Sequence, residues 1–296
     1  MTRGVIPVLY SYYGQSGAVD LDAHMRQIDW VMPRGATGVT LLGLASEGAS
    51  LTQGERKSVI AATARRLPAD AALLVTTRVD DDLQEIARIA LEHRGGVGLI
   101  VQIGADPAAS IAQIRKLSAD PSLAPSVGIG LQLAPGLIDT EFSAASLQSL
   151  PDIVQRLSFL KAEYNSIELD AHLRALGKRF DILVGRNGQN FIDFLRIGAT
   201  GAIPGPEMTA PLAAILADWT AGRHNDAIAR YAKAAAYVDF AMQDLDTVID
   251  VGRAVTAGAL GFSPGSRRRP SGREGPSFDA AVGFWFTRWQ QVEAGK

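Results

Sequence analysis

The stretch ALLVTTRVDDDLQEIARIALEHRGGVGLIVQ, residues 72–102, reads as one complete structural unit. A short apolar run at 72–77 gives way to an amphipathic segment at 80–95, and a second apolar run follows at 97–102. Short β-branched runs bounded by turn residues are strands. The longer segment between them, opening on Asp and closing near Gly, carries the capping chemistry of a helix. A strand, a helix and a strand in so short a span make a crossover between parallel neighbours.

The same alternation runs along most of the chain. Strands are expected at 5–10, 38–42, 72–77, 97–102, 127–133, 157–161, 180–185 and 201–203. Amphipathic segments such as DLDAHMRQIDWVMPRG (20–35), TQGERKSVIAATARRL (52–67) and QNFIDFLRIGATG (189–201) lie between them. Eight regular repeats predict an α/β fold, a (β/α)8 TIM barrel over 1–223, with a doubly wound sheet as second choice. Beyond residue 224 the strand signal stops, so 224–296 is expected to form a C-terminal helical region packed on the barrel. The segment GFSPGSRRRPSGREGPS (261–277) reads as an exposed loop within it.

Composition narrows the function. The chain has 296 residues, 47% hydrophobic and 20% charged, with a formal net charge of -2 and no cysteine. Nucleic-acid and membrane-surface partners demand a basic domain or stripe, so neither is expected. Without cysteine there are no disulfides, thiolate nucleophiles or thiolate-bound metals. No run is apolar and long enough to span a bilayer and no signal peptide is evident, which points to a cytoplasmic protein.

Against that frame the segment QRLSFLKAEYNS (155–166) stands out. Lys161 ends an apolar strand, and Glu163 follows two residues later on the same strand face. Barrel enzymes carry their chemistry at the C-terminal ends of strands. A lysine desolvated there holds a neutral amine able to attack a carbonyl. On spacing alone, a lone lysine in that place is usually a solvated strand end.

Several segments in order resemble the dihydrodipicolinate synthase and N-acetylneuraminate lyase family of class I aldolases. They are GVIPVLYSYYGQSGAVDLDAH (4–24), TLLGLASEGASLTQGER (40–56), LSFLKAE (157–163) and IGATGAIPGPEMTAP (197–211), with Arg269-Pro270 near the end. The resemblance implies a Schiff-base lysine at Lys161, a small-molecule 2-oxo acid substrate such as pyruvate, no cofactor beyond the covalent imine, and a homo-oligomer, dimer or tetramer.

Departures from the family pattern fall on the chemistry. Leu44, Ala45 and Ser46 occupy the loop where the family carries a threonine pair. Gln132 stands where a tyrosine precedes Asn-x-Pro on the fifth strand, with Pro135 retained. VQIGADPAAS (101–110) replaces the segment that lends a tyrosine to a neighbouring subunit. Glutamine cannot titrate, so Gln132 can position a substrate but cannot carry a proton. Variants with these changes resemble dehydratases and aldolases of sugar-derived 2-oxo acids.

The expected catalytic set is therefore Lys161 with Glu163, and with a phenol from Tyr10, Tyr12 or Tyr13, of which Tyr13 is taken as the candidate. Substrate contacts are expected from the backbone of Gly43, Leu44, Ala45 and Ser46, where Gly43 permits close approach, and from Gln132. Arg186 and Asn187 after the seventh strand, and Ile203 on the eighth, complete the set; a guanidinium there suits a second carboxylate or a hydroxyl-rich chain. Glu47 is expected to cap the 43–47 loop. The predicted function is a Schiff-base lyase of the aldolase type. A 2-keto-3-deoxy sugar acid dehydratase using the same lysine, or a non-catalytic 2-oxo acid binder, are the rivals.

Other chemistries find no support. His24, His93, His172 and His224 sit far apart in helical segments, so no metal site is expected. Neither a dinucleotide-binding glycine motif nor a phosphate-binding Gly-Lys-Ser/Thr motif occurs. The SRRRPSGREG run (266–275) reads as a solvated charge cluster.

Overall fold

Strand-forming runs separated by helices pair in sequence order around a closed ring. The computed structural model describes residues 2–78, 80–104, 106–134, 142–177, 180–273 and 275–294. Its strands are β1 (Gly4–Val5), β2 (Gly38–Leu41), β3 (Ala72–Thr77), β4 (Val97–Val101), β5 (Val127–Leu133), β6 (Phe159–Ala162), β7 (Asp181–Val184) and β8 (Gly201–Ala202). From β2 onward each pairs in parallel with the next, and β8 pairs with β1. Bridges Val5 to Ala36 and Val8 to Thr40 join the first strand to the second and close the barrel. The fold is a (β/α)8 barrel, not a doubly wound sheet.

The first strand is shorter than the run 5–10 suggested. Pro7 has no N–H to give the ladder, so regular pairing stops at Val5. The chain still runs along its neighbours: Ile6 N–H donates to Ala202 O at 2.9 Å and Val8 N–H to Pro204 O at 2.7 Å.

Strand alternation divides the core in two. Ile6, Val8, Leu74, Ile100, Phe159, Leu183 and Ile203 fill the barrel interior. Leu160 and Ala162, pointing the other way on β6, join the larger cluster shared with the surrounding helices. Phe159 fits because Gly130 faces it; a Cβ at 130 would lie 2.3 Å from Phe159 Cε2. Since Lys161 shares the face of Phe159, the aromatic ring floors the site in which the amine sits.

The helices are α1 (Leu21–Val31), α2 (Gln53–Arg66), α3 (Leu83–Leu91), α4 (Pro107–Ser118), α5 (Pro151–Arg156), α6 (Ser166–Leu176), α7 (Phe191–Arg196), α8 (Thr209–Thr220), α9 (His224–Ala241), α10 (Leu245–Leu260) and α11 (Pro276–Glu293). Asp20, Thr52, Asp82, Asp106, Asn165 and Asp244 cap N-termini through their side chains. His93 lies in the turn after α3 rather than inside a helix. In the C-terminal region, the Trp289 indole of α11 is buried and donates to Glu207 O at 2.7 Å.

The basic loop departs from expectation. Arg267 is buried and bonds Glu47 at 3.0 Å, Asp246 at 2.9 Å and Asp250 at 3.1 Å. Arg268 pairs with Glu55, the N-terminal acid of α2. Arg267 and Arg268 are thus paired rather than solvated, Arg267 with carboxylates 21 and 17 residues upstream and on the loop after β2, whereas Arg269 and Arg273 are exposed as expected. Among the described residues no helix is long and apolar enough to cross a membrane.

Candidate active site

The interior face of β6 emerges at the C-terminal rim with Lys161 and then Glu163. Their side chains meet, Nζ to Oε1, at 3.2 Å, and both are buried, 6% and 8% exposed. Glu163 has room because Gly185 follows β7 beside it: a Cβ at 185 would lie 2.3 Å from Glu163 Cγ and 2.4 Å from Oε1. The Arg186 N–H also points at Oε1, at 3.4 Å. The other oxygen, Oε2, accepts from Gln132 Nε2 at 2.6 Å, and Gln132 Oε1 accepts from Gln102 Nε2 at 3.0 Å. Three neighbouring strands thus contribute one chain of hydrogen bonds, Gln102 to Gln132 to Glu163, ending at the amine.

A cavity of about 130 Å³ opens on this pair. Its wall contains Lys161, Glu163, Leu44, Ala45, Arg186, Asn187 and Ile203, as the sequence suggested, together with Val8, Tyr10 and residues 242–245 of the α9–α10 connection. Gln132 stands behind Glu163 rather than in the wall. Gly43 and Ser46 shape the loop below Leu44 and Ala45: Ser46 N–H and Gly48 N–H return to Gly43 O at 3.1 and 3.3 Å. Glu47 N–H returns to Leu44 O at 3.0 Å, so the loop spends these donors on itself. Pro135 lies outside the described residues.

The rim loops hold unusual backbone. Leu42 and Glu47, flanking the loop after β2, have φ of 59° and 51°; Arg186 and Asn187, after β7, have 49° and 53°. Left-handed conformations cost a non-glycine residue of order 1–3 kcal/mol each and persist where surrounding structure dictates them, often at functional sites. Here they turn Leu44, Ala45, Arg186 and Asn187 toward the cavity. Glu47 serves its loop as expected, bound to Arg267.

The tyrosines are redistributed. Tyr13 does not line the cavity; its ring lies under Arg268, 4.6 Å from the guanidinium carbon. Tyr12 is buried and donates to Arg253 O at 2.9 Å. Tyr10 is the phenol at the cavity, because it is the one that remains on the inward side of the first strand's extension. Its hydroxyl meets Glu207 Oε2 at 3.2 Å, and Asn187 Nδ2 donates to Glu207 Oε1 at 3.1 Å. Burial pushes the Glu207 carboxyl up, although the bonds from Asn187, Tyr10 and Tyr237 pull the other way. Burial, then Glu207, push the Tyr10 phenol well above its usual range.

Gln102, Glu207 and Tyr237 were not anticipated. A signal for Gln102 exists: VGLIVQ (97–102) and VGIGLQ (127–132) are near repeats that end in the same residue, and the ladder aligns Val97 with Val127 through Val101 with Leu131. Glu207 and Tyr237 carry no such mark. No group of three His, Asp or Glu side chains suited to a metal occurs among the described residues.

No protein-family model matches the chain. Among curated proteins it is 28% identical over 240 residues to an L-2-keto-3-deoxyarabonate dehydratase of Azospirillum brasilense, covering 77% of this chain and 76% of the relative. The fold is similar to a 4-hydroxy-tetrahydrodipicolinate synthase from Methylacidiphilum fumariolicum SolV, with TM-score 0.83, 16% identity and 99% and 98% of the two chains covered. It is also similar to a Ruminococcus gnavus sialic acid aldolase, with TM-score 0.81, 18% identity and the same coverage. The chain thus has the barrel fold seen in a dihydrodipicolinate synthase-type enzyme and a sialic acid aldolase, and its sequence is similar to that of a 2-keto-3-deoxy acid dehydratase.

Proposed function

We propose that the protein is a Schiff-base-forming lyase of 2-oxo acids with Lys161 as nucleophile. The observation that carries this reading is the buried Lys161–Glu163 pair at the rim of β6, facing a small cavity. The amine adds to the keto carbon and water leaves, giving an iminium that draws electrons from the adjacent carbon. Glu163 Oε1, 3.2 Å from the nitrogen, takes the proton from that carbon. The iminium is the electron sink, so this chemistry needs no separate cofactor.

Among lyase reactions we favour dehydration of a 2-keto-3-deoxy sugar acid. Aldol cleavage needs a group placed to take the proton of a distal hydroxyl; Leu44, Ala45 and Gln132 offer none, and the Tyr10 hydroxyl is engaged by Glu207 at 3.2 Å. Dehydration can run on one carboxyl: Oε1 takes the C3 proton, then returns it to the C4 oxygen as the C4–O bond breaks and water departs. Hydrolysis of the remaining imine frees the product and restores the Lys161 amine. The likeness to a 2-keto-3-deoxyarabonate dehydratase supports the same choice. Arg186, at the cavity edge, suits the hydroxylated end of such a chain. Assembly into a homo-oligomer is proposed with this reading.

Incubation with 2-keto-3-deoxy pentonates and hexonates, followed by mass spectrometry, tests it. The expected product has lost one water and kept every carbon. Release of pyruvate would assign aldol cleavage instead, and binding without turnover would leave a non-catalytic 2-oxo acid binder.

A further inference from the structure

Among the described residues the hydrogen bonds that lead through Gln132 to Glu163 Oε2 run in one direction, starting from Gln102. A glutamine amide can turn over about its last bond, exchanging N and O with little steric cost. Gln132 faces a carboxylate on one side, which accepts only, so its NH₂ must point there. That preference holds while Glu163 is ionised. In the proposed cycle Glu163 takes up a proton, and a protonated carboxyl can donate as well as accept. At that moment nothing in Glu163 prevents Gln132 from turning its oxygen toward Oε2 and capturing the proton there, on the side away from the substrate. The second lock comes from β4: Gln102 Nε2 donates to Gln132 Oε1 at 3.0 Å in a fully buried contact. That bond keeps the Gln132 oxygen turned away from Glu163 for as long as the Gln102 NH₂ faces it.

We propose that Gln102 is a positioning residue: it fixes the Gln132 amide with its NH₂ toward Glu163, so that Oε1, beside Lys161, is the oxygen that carries the proton throughout the cycle. This rests on the reading of Lys161 as a Schiff-base nucleophile. Gln102 touches no substrate and acts only through Gln132. Buried amide chains of this kind are cooperative, so the loss of their first member is felt at the last.

The test uses pyruvate alone, whose methyl protons exchange with deuterium when its imine and enamine interconvert. Exchange is followed by proton NMR in heavy water, and imine formation separately by borohydride trapping on Lys161. Gln102→Leu removes the lock and keeps the volume. The exchange rate at saturating pyruvate is expected to fall roughly tenfold, the scale of one lost hydrogen bond, with half-saturating pyruvate changed less than about twofold and trapping intact. Gln102→Glu places an acceptor where the donor was and pulls the Gln132 NH₂ away from Glu163, so its exchange is expected to be lower still, again with trapping intact. Equal rates in the two variants, unchanged exchange in both, or loss of trapping in either would overturn the role of Gln102. Absence of trapping in the unaltered protein would instead overturn the Lys161 reading beneath it.

Discussion

Glu163 Oε1 lies 3.2 Å from Lys161 Nζ, the two side chains having been brought to one barrel rim by consecutive inward positions of a single strand extension. A buried ion pair of this kind is weak evidence for stability, because desolvation offsets much of the attraction. Its place at the rim of the barrel, open to a cavity, argues for chemistry instead. Glu163→Gln is expected to leave borohydride trapping of pyruvate at Lys161 in place and to slow methyl-proton exchange by about a hundredfold or more. Unaltered exchange in this variant would remove Glu163 from the proton transfer.

Gly185 makes the pair possible. Gly185→Ala forces a Cβ into the space of Glu163 Cγ and Oε1, and the flexible carboxylate must turn away. The expected result is a loss of exchange approaching that of Glu163→Gln, with a folding cost of about 1–3 kcal/mol from overpacking. Exchange near the original rate, with a normal melting curve, would show that Glu163 works from another position.

Glu207 offers a test of the buried polar cluster behind Tyr10. Its folded-state carboxyl is raised by burial, so the folded chain holds a proton that the unfolded chain gives up, and stability falls as pH rises through this range. Glu207→Gln removes that dependence and keeps a polar partner for Asn187, Tyr10 and Tyr237. Denaturant melts taken upward in pH from the ordinary carboxyl value of 4.5 should show a flatter profile for Glu207→Gln. Glu207→Leu, which strands the three partners, should lose about 2–4 kcal/mol. Parallel pH profiles for the unaltered protein and Glu207→Gln would contradict this.

The basic loop predicts an acid-sensitive clamp. Arg268 leads the bonds that pull Glu55 from an ordinary 4.5 down to about 2. A depressed carboxyl contributes stability above its unfolded value and loses it as pH falls through the folded one, here between pH 4.5 and 2. Glu55→Gln should therefore be less stable than the unaltered protein at pH 7, by about 1–2 kcal/mol after allowance for solvent screening. The gap should close by pH 2. A constant gap across that window would mean that packing, not charge, holds the loop to α2.

How far the sequence foretold this arrangement depends on the kind of signal. Strands and capped helices are local, so β2 to β8 fall close to the expected runs, and only Pro7 cut the first one short. That Lys161, Glu163, Leu44, Ala45, Arg186, Asn187 and Ile203 share one cavity was legible because a barrel puts strand ends at one mouth whatever the details of packing. Tyr13 was misplaced because three tyrosines in four positions cannot be ranked without knowing how the chain turns after β1. Arg267 read as solvated because its partners Glu47, Asp246 and Asp250 are distant in sequence, and Glu207 was silent for the same reason. Gln102 could have been found from its likeness to Gln132, since parallel neighbours in register bring equal positions side by side.

The most direct measurement is borohydride reduction of the protein with pyruvate, followed by peptide mapping. The expected result is one reduced pyruvyl adduct on the peptide containing Lys161, absent from Lys161→Ala. No adduct across pyruvate and the 2-keto-3-deoxy acids, or an adduct that persists in Lys161→Ala, would contradict the assignment of Lys161 as the nucleophile.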